Sequence, residues 1–257
     1  MLTDLPGEII CDIFAATASI ETALRLARTC RRLNNTWLTY RDTICMTLLP
    51  ECLPAYDLAQ SAAQLRSSSR DHTKVETHTV SVLDQGREAG LSLLLFIEDF
   101  VKPWGKTGFF YPRRTAPPYL SKSERLRYLH AYQLTKSLIL AAKSKEHHEF
   151  LTSMLQSLSA VTYFNVRDVA EWLANVVSHD YRTRWPRTDS GPFFERLSNE
   201  DIAWWRSADA DIFEILFNHP AIAKRRDNFI SGYPDLNPEG KFTLFDQCQE
   251  DIMEASP

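Results

Sequence analysis

Residues 5–14 read LPGEIICDIF, and this stretch decides how the beginning of the chain folds. Pro6 suits the first turn of a helix, where the N–H that proline lacks would have no intrahelical acceptor, and Thr3 or Asp4 can cap that turn. Apolar side chains then recur at the three- and four-residue spacing of a helical face. The stretch therefore predicts a short amphipathic helix with a broad apolar side.

Two further helices are predicted before residue 50. Ser19 can cap the first of them, and the carboxylate of Glu21 favours its first turn. The polar arc of this helix carries four arginines: Arg25, Arg28, Arg31 and Arg32. The Asn34–Asn35 pair is predicted to end the helix, after which a third helix runs to Pro50. The result is a compact three-helix module.

Helical periodicity dominates the rest of the chain as well, so the predicted fold class is all-α. We expect a three-helix module over residues 1–49 and an irregular multi-helix domain over residues 50–257, without the fixed period of a solenoid. The stretch at residues 66–90 is rich in serine, threonine and charge and predicts a loop, with a flexible segment at 66–87.

Individual helices of the larger domain can also be predicted. Ser121 and Glu124 form a capping box that opens a long helix to Ala142. The remaining predicted helices cover residues 56–65, 88–101, 146–158, 166–177, 201–207 and 211–217. Short basic groups at residues 113–114 and 224–226 are expected on a solvated surface, with phosphate recognition as the minority alternative.

The first two predicted helices together resemble the F-box family. LPGEIICDIF follows the family pattern Leu-Pro-x-Glu-Ile/Leu, with Ile-Phe three residues on, and ALRLARTCRRL at residues 23–33 is similar to the family's second helix, which typically ends in Cys or Ser and a basic pair. Leu33 departs from the aromatic residue that many members place there, and we expect Trp37 to cover the same surface. The resemblance spans residues 2–48.

The resemblance implies a function. In the F-box family this module docks onto a Skp-type adaptor, which joins the protein to a cullin ubiquitin ligase, so the chain is expected to present a client protein and to perform no bond chemistry. By position, Leu5, Pro6 and Ile9 would begin the contact, with Leu5 and Pro6 as its anchors. Four further positions would extend the contact or hold the helices in place: Ile13, Leu26, Cys30 and Trp37.

A physical argument accompanies the resemblance. Below about 70 to 80 residues, the burial of apolar surface barely offsets chain entropy, so a three-helix module needs a partner. That partner can be another protein or the rest of this chain. Two alternatives therefore stay open: a helical scaffold protein in which the F-box-like segment is only structural, and an enzyme in the C-terminal domain, which no motif favours.

A second resemblance lies further along. The stretch LSKSERLRYLHAY at residues 120–132 is similar to a helix that follows the box in many fungal F-box proteins, which suggests a fungal origin. A capping box on any amphipathic helix would have much the same pattern.

Composition and motifs narrow the other function classes. The net charge of -4 gives no reason to expect nucleic acid or a membrane as partner, and eight glycines in 257 residues disfavour glycine-rich phosphate loops. Five cysteines without close pairing, no secretory signal and no long apolar run predict the cytosol or nucleus. His147 and His148 are adjacent, so on a helix they point about 100° apart and do not favour a metal site. We expect no cofactor.

Overall fold

The computed structural model describes residues 5–17, 19–69, 78–101, 120–143, 147–177, 214–216 and 218–232. These residues form helices and no strand, which confirms the predicted all-α class. Within the described residues no helix is both long and apolar enough to cross a membrane. The chain divides into two compact units, Met1–Gly86 and Arg87–Pro257. Residues 49 and 50, between which the sequence analysis places a domain boundary, lie within one helix, Arg31–Cys52.

In the first unit the described residues form four helices and the beginning of a fifth. They are α1 (Gly7–Ala15), α2 (Ile20–Ala27), α3 (Arg31–Cys52), α4 (Tyr56–Ser69) and α5 (His78–Leu95). Pro6 is itself the N-cap residue of α1, with its carbonyl accepting the Ile10 N–H at 3.2 Å, while Thr3 and Asp4 lie outside the described residues. α3 continues through Pro50 because Leu48 and Leu49 hold its last turns in the core.

Helix α2 begins as predicted and ends earlier than predicted. The Ser19 hydroxyl accepts the Thr22 N–H at 3.1 Å, which confirms the cap. α2 ends at Ala27, however, and α3 runs through both exposed asparagines, so the break predicted at Asn34–Asn35 is wrong. Burial explains the difference, because Leu33 and Trp37 reach the core together only if the residues between them are helical, and this outweighs the weak helix propensity of asparagine.

The core of the first unit forms where α1 and α2 pack onto α3. The rings of Phe14 and Trp37 lie 5.6 Å apart at its centre. Alanines on α2 allow that helix to approach α3 closely. The buried cluster comprises Ile10, Phe14, Ala23, Ala27, Leu33, Trp37, Ile44, Cys45, Leu48, Leu49, Ala59, Ala63 and Val82.

The loop predicted over residues 66–90 is wrong wherever the chain is described there. Residues 66–69 complete α4 and residues 78–90 belong to α5, whereas residues 70–77 lie outside the described residues. Gly86 is a packing residue of the helix and not a loop residue. A Cβ added to it would lie 2.4 Å from Leu53 Cδ1, so glycine is what lets Leu53 pack so closely.

The described part of the second unit includes the end of α5 and the following elements. These are a π-helical turn (Phe96–Val101), α6 (Lys122–Lys143), α7 (His148–Ser157), α8 (Ala160–Val177) and α9 (Pro220–Gly232). α6 packs on α7 and α8, and α9 packs on α7. The capping box is confirmed: Ser121 N–H donates to Glu124 Oε2 at 2.8 Å, and Glu124 N–H donates to Ser121 Oγ at 3.1 Å.

Two helices of this unit differ from their predictions. α8 begins at Ala160 and not at 166, and the missed signal is Ser159, whose hydroxyl accepts the Thr162 N–H at 3.1 Å. α9 was not predicted, although Pro220 occupies its first position, where proline is favoured. The helix predicted at 201–207 lies outside the described residues, and of the one at 211–217 residues 214–216 are helical.

Polar side chains join α5 to α6 inside the second unit. Glu88 forms a buried ion pair with Lys136 and accepts a hydrogen bond from the Tyr132 hydroxyl at 2.9 Å. One turn along, the hydroxyls of Ser92 and Tyr128 lie 2.7 Å apart, and burial raises the pKa of Tyr128 well above its ordinary value. The two helices therefore meet through paired polar groups as well as through apolar contacts.

Candidate docking surface

Of the described residues ahead of α1, Leu5 is held against α3 by a hydrogen bond to its carbonyl and against the core by its side chain. Arg32, in the first turn of α3, donates from Nη2 to the Leu5 carbonyl at 2.6 Å. The Leu5 side chain is half-buried and packs against the core cluster. Pro6, next in the chain, is exposed. Leu5 is thus partly a core residue, and Pro6 is available at the surface.

Helix α1 has two apolar sides in different environments. Ile10 and Phe14, four residues apart, are fully buried in the core. Ile9 is 44% exposed, and Ile13, one turn further along the same side, is half-buried. Ile9 and Ile10 are adjacent and point about 100° apart, so one side of α1 packs in the core while another side keeps apolar surface exposed.

Helix α2 adds apolar surface of its own. Its alanines, Ala23 and Ala27, are buried, whereas Leu24 is 37% exposed and Leu26 is half-buried. Sequence reasoning named Leu26 and missed Leu24. A signal was present, because small residues at i and i+4 mark the side on which a helix approaches its neighbour, and Leu24 lies on one flank of that side as Leu26 lies on the other.

Cys30 and Trp37 have different environments. Cys30 is the half-buried N-cap residue of α3, in an extended conformation and without a side-chain capping hydrogen bond. Trp37 is buried against Phe14, and Leu33 is buried as well. Of the two roles considered for Trp37, its position fits holding the helices together and does not fit a surface contact.

Other large apolar side chains of α3 are exposed although the sequence analysis did not single them out. Leu38 is 62% exposed, and Tyr40, where the helix is kinked (φ -114°, ψ 16°), is also exposed. Met46 is exposed too and receives a hydrogen bond from the Tyr56 hydroxyl at 3.8 Å. These side chains are exposed because Leu33, Trp37 and Ile44 of the same helix face the core. A local sequence pattern alone does not decide which side of α3 faces the core.

Positive charge lies at the end of α2 and the beginning of α3. Arg25 forms a fully solvated ion pair with Glu21 at 2.6 Å, and such exposed pairs contribute little to stability. Arg28 and Arg31 are exposed. An acidic partner surface would be attracted to this region, and the effect would be on the association rate more than on affinity.

Two thiols of the first unit, those of Cys11 and Cys45, have pKa values above the ordinary value. Burial raises the pKa of Cys45, with a further contribution from Asp42. Burial likewise raises the pKa of Cys11, with contributions from Asp12 and Glu8. The four described cysteines form no disulfide bond with one another. In the part of the chain that the structure describes, no three His, Cys, Asp or Glu side chains are arranged to hold a metal ion.

Within the basic group at residues 224–226, Arg225 has a structural role, which corrects the expectation of a solvated surface for this residue. The Arg225 guanidinium donates to the carbonyls of Leu155 (2.9 Å), Gln156 and Leu158, at the C-terminal end of α7. It therefore satisfies carbonyls that a helix end leaves without intrahelical donors. Arg226 pairs with Asp227 at 2.6 Å.

Comparisons with known proteins add no relative: no family model, no curated protein and no solved structure matches this chain.

Proposed function

We propose that this chain is an F-box substrate adaptor of the cytoplasm or nucleus. In this proposal the first three helices dock onto a Skp-type adaptor of a cullin ubiquitin ligase, and residues 50–257 hold a client protein. The chain would contribute proximity and orientation and would leave the chemistry to the conjugating enzyme. The resemblance of residues 2–48 to the family is the reason for naming this partner.

One observation carries the proposal: Pro6 and Ile9 are exposed on a module whose opposite face is filled by its own core. These are two of the three positions at which the resemblance expects the contact to begin. Leu24 adds exposed apolar surface on the adjacent helix. A specific interface buries about 800 Å² per partner, and a few anchor residues supply most of its energy. Pro6 and Ile9 are the side chains that lose most water on docking.

The scaffold alternative draws on a different observation. Leu5 is half-buried against the core, and its carbonyl binds Arg32, so part of the motif also serves the module itself. Under this alternative the Leu-Pro segment is a structural element, and the exposed apolar side chains of α1 and α2 are scattered surface residues of the ordinary kind.

Co-purification with a Skp-type adaptor distinguishes the two. The full chain is compared with Leu5→Ala/Pro6→Ala and with Ile9→Ala, and Leu126→Ala, which alters an exposed leucine of the second unit, is the matched control. We expect the double substitution to abolish recovery of the adaptor, Ile9→Ala to reduce it, and Leu126→Ala to leave it unchanged. Circular dichroism checks that each variant keeps its helical content. Equal recovery with all four proteins, or none with the wild type, would refute the proposal.

A further inference from the structure

Arg32 connects two parts of the first unit that are 27 positions apart in the chain. Its guanidinium donates a hydrogen bond of 2.6 Å to the Leu5 carbonyl. Hydrogen bonds with an ionised donor are shorter and stronger than neutral ones, and an arginine keeps its charge at every physiological pH. The contact therefore ties the peptide that precedes α1 to the first turn of α3.

Within the described residues, the Leu5–Pro6 segment that Arg32 holds is otherwise fixed by the Ile10–Pro6 hydrogen bond and by the packing of Leu5 against the core cluster. Pro6 serves as the N-cap residue of α1 without any side-chain capping hydrogen bond. Pro6 is exposed and Leu5 is only half-buried. A single charge-assisted bond is therefore a large share of what fixes Leu5 and Pro6 before a partner arrives.

We propose that Arg32 is a positioning residue, which holds Leu5 and Pro6 in the conformation that the partner binds. This inference rests on the proposed function, since it assigns Arg32 a role at the same docking surface. Arg32 acts through the Leu5–Pro6 segment and not through its own contact with the partner. Ordering the segment in advance lowers the entropy that binding would otherwise have to offset.

The expected effect is a reduced population of the competent conformation. If the segment is ordered only a tenth of the time without Arg32, the apparent Kd rises about tenfold. A tenfold change corresponds to about 1.4 kcal/mol. Arg32→Lys keeps a charged donor and should recover part of the affinity.

The first test uses the free protein. The Ile10 N–H donates to the Pro6 carbonyl at 3.2 Å, so its hydrogen exchange reports whether the segment is in place. The Ala23 N–H, which donates to the Ser19 carbonyl at 3.0 Å, is the reference for an unaffected helix start. Arg32→Ala should accelerate exchange at Ile10 and leave Ala23 unchanged. Arg31→Ala, an exposed neighbour on the same turn, should change neither.

The second test measures the Kd of each variant for the purified Skp-type adaptor. Arg32→Ala should weaken binding about tenfold, with Arg32→Lys intermediate and Arg31→Ala unchanged. In a Leu5→Ala background the segment contributes less to binding, so Arg32→Ala should raise the Kd by a clearly smaller factor. Equal fold losses in both backgrounds with unchanged Ile10 exchange would mean that Arg32 touches the partner directly, and would overturn the inference.

The two proposals fail in distinguishable ways. If the wild-type chain does not bind the adaptor, the proposed function fails, and Arg32 loses its docking role with it. If the wild type binds and Arg32→Ala binds equally well, only the inference about Arg32 fails. A global loss of helicity in Arg32→Ala would likewise overturn the positioning role, because Arg32 would then be needed for folding itself.

Discussion

Ile9 and Ile10 are the same residue type at adjacent positions of α1, and the structure gives them opposite environments. Ile10 is fully buried with Phe14, whereas Ile9 is 44% exposed. Replacing a fully buried isoleucine by alanine removes its transfer free energy and leaves a cavity, which together cost about 2–5 kcal/mol. We therefore expect Ile10→Ala to lower the free energy of unfolding by about 3 kcal/mol.

For Ile9→Ala the same reasoning gives a much smaller loss. About half of that side chain is already in water and its removal encloses no cavity, so the hydrophobic loss is about 1 kcal/mol or less. Alanine also has the higher helix propensity, which offsets a few tenths of a kcal/mol. The two neighbouring substitutions should thus differ by about 2 kcal/mol or more in unfolding free energy.

Urea unfolding followed by circular dichroism measures both, with the midpoint shifting at constant slope. Adaptor binding should move in the opposite order: Ile9→Ala loses affinity, and Ile10→Ala binds normally in proportion to its folded fraction. Equal destabilisation by the two substitutions would show that the Ile9 side of α1 is covered in solution. The claim of an available docking face would then be untenable.

Three further outcomes test other parts of the fold. Cys30 occupies the N-cap of α3 with no capping bond, so Cys30→Ser should be more stable than Cys30→Ala by about 1 kcal/mol in urea unfolding. Gly90 has open space around its Cα, so Gly90→Ala should stabilise by about 0.5–1 kcal/mol, whereas Gly86→Ala should lose that gain to the Leu53 contact. Burial, and then the neighbouring His148, lower the pKa of His219, so the folded state favours the neutral imidazole. The free energy of unfolding is therefore highest above the ordinary pKa of histidine and falls as the pH drops below that value. His219→Asn should therefore reduce the loss of thermal stability between pH 7 and pH 5, and an unchanged pH profile would count against this.

Sequence reasoning succeeded where the decisive interactions are local. The caps at Ser19 and Ser121 involve a side chain and a backbone N–H three residues away, and both are present. It failed where distant contacts decide. The asparagines at 34–35 are helical because their neighbours face the core, and α5 extends across a predicted loop in which Val82 and Ala89 are buried.

The candidate docking surface could be predicted only in part. The motif predicts that Leu5, Pro6 and Ile9 lie at a contact. Helix α1, however, is apolar on two sides, and its sequence alone does not determine which side packs in the core. That choice depends on where Trp37 and Phe14 meet. For the same reason the sequence left two roles open for Trp37, which is buried, and Leu24 was overlooked and is exposed.

The buried pair of Glu88 and Lys136 restricts which sequences can share this fold. Substituting one partner alone leaves an uncompensated charge in the interior, at a cost of about 3–5 kcal/mol, whereas replacing both by apolar residues of similar volume is often tolerated. Two positions that are 48 residues apart are therefore bound to change together in evolution. Homologues should keep both charges or neither, and this joint variation is the expected signature of the buried pair.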